Sequence, residues 1–309
     1  MSSELIPKII ENISKIILGK KEALELLIVA LIADGHVLLE DVPGVGKTLL
    51  AKSLARSING TFKRVQFTPD LLPSDITGFN IYDQLNSQFK YQSGPVHTNI
   101  LLADEINRAI PRTQSSLLES MEERQVSIDG ETMKLPKPFI VIATQNPIEM
   151  EGTFPLPEAQ LDRFLLKIKL GYPDRESEMT MLKNFQYGNP LEALNPVIEL
   201  DQLADMQKNA ESIIVSDACR SYIISIVSAT RNHPNLEFGA SPRGSLSLMK
   251  ASRGYAAVKN RNYVQPDDIK AMLIPALSHR VILTESAKLS DASSQQILNS
   301  IANEVPVPT

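Results

Sequence analysis

The chain has 309 residues, enough for one large or two ordinary domains that each bury a core. At 43% hydrophobic and 22% charged, with no Trp, its composition excludes a disordered or fibrous protein. A net charge of −5 gives no general pull toward nucleic acid, and a single cysteine, Cys219, excludes an intrachain disulfide, so the expected setting is a reducing cytoplasm.

Met1-Ser2-Ser3-Glu4 lacks the basic and apolar regions of a secretion signal. Two helices are predicted next, over residues 4–18 and 20–33, from Ile6, Ile9, Ile10, Ile13 and Ile17 and then Leu24, Leu27, Ile28 and Leu31 at helical intervals. The apolar stretch 26–33 falls far short of the roughly 20 residues a bilayer requires, so no membrane insertion is expected. Val37-Leu38-Leu39 reads as a buried parallel strand, and Leu50, Leu54 and Ile58 return to helical spacing over 48–58.

Between that strand and helix lies Pro43-Gly44-Val45-Gly46-Lys47-Thr48. In a phosphate-binding loop, backbone N–H groups and a helix N-terminus surround the phosphates, a lysine neutralises their charge and a hydroxyl ligates Mg²⁺. Gly44, Gly46, Lys47 and Thr48 suit those roles, although the full G-x-x-x-x-G-K-[ST] pattern wants glycine where Asp41 stands. A tight strand-helix turn would explain the glycines but not Lys-Thr.

Further strands are predicted at Val65-Gln66-Phe67, Ile100-Leu101-Leu102-Ala103, Phe139-Ile140-Val141-Ile142-Ala143 and Leu166-Lys167-Ile168-Lys169-Leu170, with a helix over 112–123. This order predicts an α/β fold, an αβα core with a mainly parallel sheet. Asp104-Glu105 ends the second of these strands, where ligands gather in open α/β sheets. Asp104 would hold Mg²⁺ and Glu105 would polarise the attacking water, the alternative being a helix N-terminal cap. Ala143-Thr144-Gln145-Asn146-Pro147 ends the next strand, and Asn146 either orients water near the γ-phosphate or simply starts a turn. Around Asp129-Gly130, residues 124–134 read as a projecting hairpin.

After Tyr172-Pro173 the strand-like runs stop. Helices are predicted over 201–208, 216–230 with Ser216 as cap, 242–259 and 266–274, while the last twenty residues are weakly patterned. The expected domains are therefore 1–172, a nucleotide-binding core, and 173–309, an all-helical lid, joined by a hinge near 172–176. The histidines at 36, 97, 233 and 279 lack zinc-site spacing. Arg163 precedes a strand and Arg243 opens a helix; each could reach a nucleotide phosphate or serve as a surface ion-pair partner.

Five stretches together resemble the MoxR family of AAA+ ATPases. They are residues 40–48, residues 66–78 from Gln66-Phe67-Thr68-Pro69-Asp70 to Ile76-Thr77-Gly78, Ala103-Asp104-Glu105-Ile106-Asn107-Arg108-Ala109, Ala143-Thr144-Gln145-Asn146-Pro147 and Glu158-Ala159-Gln160-Leu161-Asp162-Arg163-Phe164. Gly239-Ala240-Ser241-Pro242-Arg243 is similar to the family's sensor 2 segment.

The resemblance implies ATP and Mg²⁺ bound between core and lid, and a homo-oligomeric ring, commonly a hexamer, whose sites are completed across subunits. Pro43, Gly44, Val45, Gly46, Lys47, Thr48 and Leu49 would form the phosphate loop, with Leu18 and Gly19 against adenine and Thr48 and Asp104 at the metal. Glu105 and Asn146 would serve hydrolysis, Arg163 would be the trans arginine finger in preference to Arg108, and Arg243 would be sensor 2. Residues 79–96 would be an insertion in the core's second helix. With the hairpin at 124–134, it would face a pore or partner.

The implied role is chaperone-like remodelling, assembly or activation of protein clients, often with von Willebrand factor A domain proteins. Two alternatives remain: a nucleic-acid motor or metal-chelatase-like subunit, and a nucleotide-gated binding module with little hydrolysis. The acidic balance opposes the motor and the Asp104-Glu105 pair opposes the module.

Overall fold

A computed structural model describes residues 4–146, 152–186 and 188–308. Helices α1 (Leu5–Ser14) and α2 (Lys21–Ile32) precede strand β1 (Val37–Glu40). From Leu27 to Ile32 every side chain of α2 is essentially inaccessible, which explains its unbroken apolar run. The loop after β1 leads into α3 (Lys47–Ser57), then β2 (Phe62–Gln66), α4 (Pro73–Thr77), β3 (Gly78–Asp83), β4 (Gln88–Ser93) and β5 (Ile100–Asp104). A 3-10 turn at Ile106–Arg108 leads to α5 (Pro111–Glu123), β6 (Gln125–Ile128), β7 (Glu131–Lys134), β8 (Ile140–Gln145), α6 (Glu158–Leu161) and β9 (Leu166–Ile168).

Five of these strands form one parallel sheet in the order β2-β5-β8-β1-β9. Its register sets Gln66 beside Asp104 and Glu40 beside Gln145, so the carboxyl ends of β2, β5, β8 and β1 lie along one edge. β2 was expected to start three residues later, at Val65, and to end one later, at Phe67. It starts at Phe62 because an edge strand with Lys63 and Arg64 exposed carries no apolar run, and Phe67 is buried just beyond its end.

Residues 78–93 form an antiparallel hairpin, β3-β4, and β6-β7 form the second hairpin expected at 124–134. Asp129 (φ 52°) and Gly130 (φ 86°) both take the left-handed conformation that a two-residue turn between twisted strands demands. Asn80 Nδ2 donates to Asp129 Oδ2 at 2.7 Å, joining the two hairpins.

The remaining chain contains α7 (Arg175–Gln186), α8 (Leu200–Glu211), α9 (Asp217–Arg231), β10 (Leu236–Phe238), α10 (Pro242–Val258), α11 (Pro266–Leu277), β11 (Ile282–Leu283), α12 (Glu285–Leu289) and α13 (Ser294–Glu304). Ser216 caps α9 as expected, its Oγ accepting from the Cys219 N–H. This part is helical, with one addition, the short β10-β11 ladder. The weakly patterned C-terminus also folds, as α13, where Ser293 and Gln296 form a capping box and Ile297, Leu298 and Ile301 are buried.

One apolar core joins α1 to α3 and one face of the sheet with the C-terminal helices; a second lies under α5 on the other face. Among the described residues, no helix is long and apolar enough to cross a membrane.

Candidate nucleotide site

Gly44 and Gly46 hold φ of +83° and +88°, and an added Cβ at either would meet nothing within 4 Å. The loop therefore turns through left-handed positions that suit glycine and leaves open space in front of its backbone. Gly46 is the N-cap of α3, so the loop ends at an eleven-residue helix whose unpaired N–H groups and positive dipole end favour an anion. Lys47 and Thr48 occupy the first turn, half-buried.

The Lys47 ammonium donates to the Asp41 carbonyl at 2.9 Å. Burial lowers its pKa, opposed by the nearby charges of Asp104, Asp41 and Glu105. The glycine loop and the end of β5, more than fifty residues apart in the chain, thus share one electrostatic site.

Asp104 Oδ1 accepts from Thr144 Oγ1 at 2.7 Å, and Oδ2 pairs with Arg64 at 2.7 Å. Thr144 Oγ1 in turn accepts the Glu105 N–H at 2.8 Å, so β8 fixes both carboxylate-bearing residues. Glu105 sits at φ 57°, ψ 51°, a conformation that costs a non-glycine residue on the order of 1 kcal/mol and persists where function or packing imposes it. Its Oε2 accepts from Gln66 Nε2 at 2.8 Å and pairs with Arg108 Nε at 2.9 Å. Asn146 follows β8 and is 5% exposed; its neighbour Pro147 lies outside the described residues.

Thr48 carries a hydroxyl and Asp104 a carboxylate, the kinds of oxygen donor that a hydrated Mg²⁺ arriving with phosphate would take. Among the described residues, no cluster of three or more His, Cys, Asp or Glu side chains could hold a metal unaided.

Gly19 lies against the segment entering α7, and Leu18 before it is half-buried. Gly19 has φ +71°, and a Cβ there would collide with Ser177 Oγ. The next residue, Lys20, donates from Nζ to the Tyr172 carbonyl. A cavity of about 670 Å³ opens beside Gly19, Lys20 and Leu170, although none of the loop residues 43–48 lines it.

The two candidate arginines lie elsewhere. Arg163 Nη1 donates to the Leu118 carbonyl at 2.6 Å and pairs with Glu122 at 3.1 Å, and Arg243 pairs with the same Glu122 carboxylate. Glu122 lies in the last turn of α5, whose thirteen residues run back from the Asp104 end of the sheet; at 1.5 Å per residue that path is about 20 Å. Arg124, just after it, donates to the carbonyls of Asp34 and Phe139, which precede β1 and β8. Arg163 and Arg243 therefore meet at the amino end of the strands, away from the phosphate loop of the same chain. Arg108 alone of the three lies beside Glu105.

Asp162 and Arg280 hold this second group in place. Arg280, 8% exposed, pairs with Asp162 at 2.5 Å and donates to the carbonyls of Asp162, Phe164 and Leu165. Ser241 Oγ donates to the other Asp162 oxygen at 3.2 Å. Sequence reading missed Gln66, Arg64, Thr144, Glu122 and Arg280. Each is an ordinary polar residue whose partner is distant in the chain; Gln66 and Thr144 lay inside quoted motifs, but neither was singled out there.

Comparison with known proteins gives the family and the fold. Residues 36–166 match the "ATPase family associated with various cellular activities (AAA)" and residues 228–301 match the "AAA lid domain". The chain is 44% identical to Chaperone MoxR1 of Mycobacterium tuberculosis over 306 residues, covering 96% of this chain and 81% of that one. It is 49% identical to the uncharacterized protein YeaC of Bacillus subtilis, covering 98% and 95%. A crystal structure of a candidate ATPase from Cytophaga hutchinsonii superposes with a TM-score of 0.93 at 38% identity, covering 100% of this chain and 96% of that one.

Proposed function

Since the chain belongs to the MoxR family of AAA+ ATPases, we propose that it binds and hydrolyses ATP with Mg²⁺ and uses the cycle to remodel, assemble or activate protein partners. The observation that carries the hydrolytic reading is the convergence of Lys47, Asp104, Glu105 and Asn146 at the carboxyl ends of β1, β5 and β8. We place the working boundary between nucleotide core and helical lid at 172–173.

In this reading residues 43–49 hold the phosphates through backbone N–H groups, and Lys47 leaves the Asp41 carbonyl to neutralise their oxygens. Thr48 and Asp104 hold the metal, whose chemistry is to neutralise charge developing on the β- and γ-oxygens. Glu105 orients the water and accepts its proton, and Asn146 steadies that water. Both oxygens of Asp104 and the Oε2 of Glu105 have partners in the structure, so a productive state requires Arg64, Gln66 or Arg108 to yield.

Arg163 and Arg243 are assigned to a neighbouring subunit's nucleotide, because the loop of their own chain lies at the other end of the sheet. Two different faces of one subunit then meet, a heterologous contact that closes as a ring; the expected number is six by resemblance. An exposed apolar stripe of Met179, Leu182 and Phe185 on α7 supports assembly. The chaperone name of the mycobacterial relative supports protein clients; von Willebrand factor A domain proteins are proposed among them from the family resemblance alone.

A phosphate-release assay on concentrated protein tests hydrolysis. Glu105→Gln should keep ATP binding and lower turnover by on the order of a hundredfold or more. Unchanged turnover in that variant removes Glu105 from the mechanism, and no turnover by assembled wild-type protein favours a nucleotide-gated module.

A further inference from the structure

Asp41 stands where the phosphate-loop pattern has glycine, and nothing in the proposed chemistry uses its side chain. Yet the carboxylate is 8% exposed and fully engaged. Its Oδ1 accepts from the Val42 N–H at 3.0 Å, and its Oδ2 accepts from the N–H groups of Leu170 and, at 2.7 Å, Gly171. The backbone of the same residue donates to the Gln145 carbonyl and accepts from Lys47 Nζ at 2.9 Å. One residue therefore touches the lysine that meets phosphate, the strand end before Asn146, and the exit from β9.

That exit is the sole described covalent path from the sheet into α7. Gly171 turns it with φ +63°, and the candidate adenine contact reaches the same segment from the other side through Lys20 and the Tyr172 carbonyl. The wall of the 670 Å³ cavity includes Leu170, so the segment has space to shift. A glycine at 41 would supply the loop but not these bonds.

We propose that Asp41 is a positioning residue that transmits phosphate occupancy to the 170–177 segment, and through it to the helical part. When Lys47 leaves the Asp41 carbonyl for a phosphate, the loop's first residue shifts, and its carboxylate carries Leu170 and Gly171 with it. The inference rests on the nucleotide reading above.

The test is hydrogen exchange of the full chain over residues 168–177, with and without Mg·AMP-PNP, in wild type, Asp41→Gly and Asp41→Asn, alongside nucleotide affinity. Wild type should show an exchange change of at least about fivefold on binding. Asp41→Gly should bind within about tenfold of wild type, one modest interaction's worth, while its linker exchange no longer responds. Asp41→Asn, with one acceptor left, should respond partially, and it carries the test should the glycine variant not fold.

A wild-type response in both variants overturns the coupling, as does loss of binding in both, which would assign Asp41 to loop integrity alone. A wild type that responds nowhere over 168–177 while binding overturns it too. A wild type that binds no nucleotide sinks the nucleotide reading itself.

Discussion

His36 shows how fully a single side chain can be specified. Its Nδ1 accepts the Val141 N–H at 2.9 Å, so Nε2 carries the proton and donates to the Met121 carbonyl at 3.1 Å. Burial holds its pKa well below the ordinary value, with Arg124 adding to the effect, and burial does the same to His279 beside Arg280. A pKa lowered in the folded state means that the unfolded chain binds the proton first. Stability from these two residues is complete above the unfolded value, near 6.5, and falls as pH drops below it. The slope is up to about 1.4 kcal/mol per pH unit for each. Melting temperature should fall between pH 7.5 and 5.5, and His36→Gln should flatten part of that dependence. An unchanged slope in that variant would show His36 protonated or solvated in the folded protein.

Legibility at this scale divides by sequence distance. Lys47, Thr48, Asp104 and Glu105 were readable as candidates because loop and strand end are contiguous motifs of residue types that phosphate chemistry uses. Glu122 was not: a glutamate at a helix end looks like a solvated surface charge until α5 is seen to deliver it between Arg163 and Arg243. Asp41 was readable as a departure from the pattern, but its role depends on β9 lying beside β1, which no local signal encodes.

At the scale of elements, glycine in α10 gives a case in which propensity and packing oppose each other. Gly254→Ala in a free helix would gain about 1 kcal/mol. Here the new Cβ would lie 2.8 Å from the Val29 carbonyl oxygen of α2, a backbone atom that cannot rotate away. Urea denaturation should therefore show Gly254→Ala less stable than wild type; a gain would mean that α2 and α10 separate freely.

Arg280 gives the second case. Removing it takes the paired cation from Asp162 and a donor from the carbonyls of Asp162, Phe164, Leu165 and Ala276, so Arg280→Ala should cost about 3–5 kcal/mol. Arg280→Lys should recover only part, because one ammonium cannot reproduce a planar fork.

Elements were legible where periodicity was strong, as in α2, α5, α9 and α10. β2 and α13 were the poorer readings, one an exposed edge strand and the other a helix marked mainly by its Ser293 cap. The β10-β11 ladder pairs segments more than forty residues apart and left no trace in either.

At the scale of the molecule, one sheet separates two chemical ends: the candidate phosphate loop with its carboxylates at the carboxyl edge, and a pair of arginines sharing Glu122 at the amino edge. The αβα fold and its helical companion were legible from the order of strands and helices. The separation of Arg243 from its own loop was not, since it depends on where α10 docks. Subunit mixing tests the central claim most directly. Lys47→Ala and Arg163→Ala should each be nearly inactive alone. Mixed in equal amounts and allowed to exchange, they should recover turnover at about one quarter of sites, those pairing an intact loop with a neighbour's intact arginine. Mixtures no more active than the separate variants, or wild-type turnover per subunit that does not change with protein concentration, would contradict a site built across subunits.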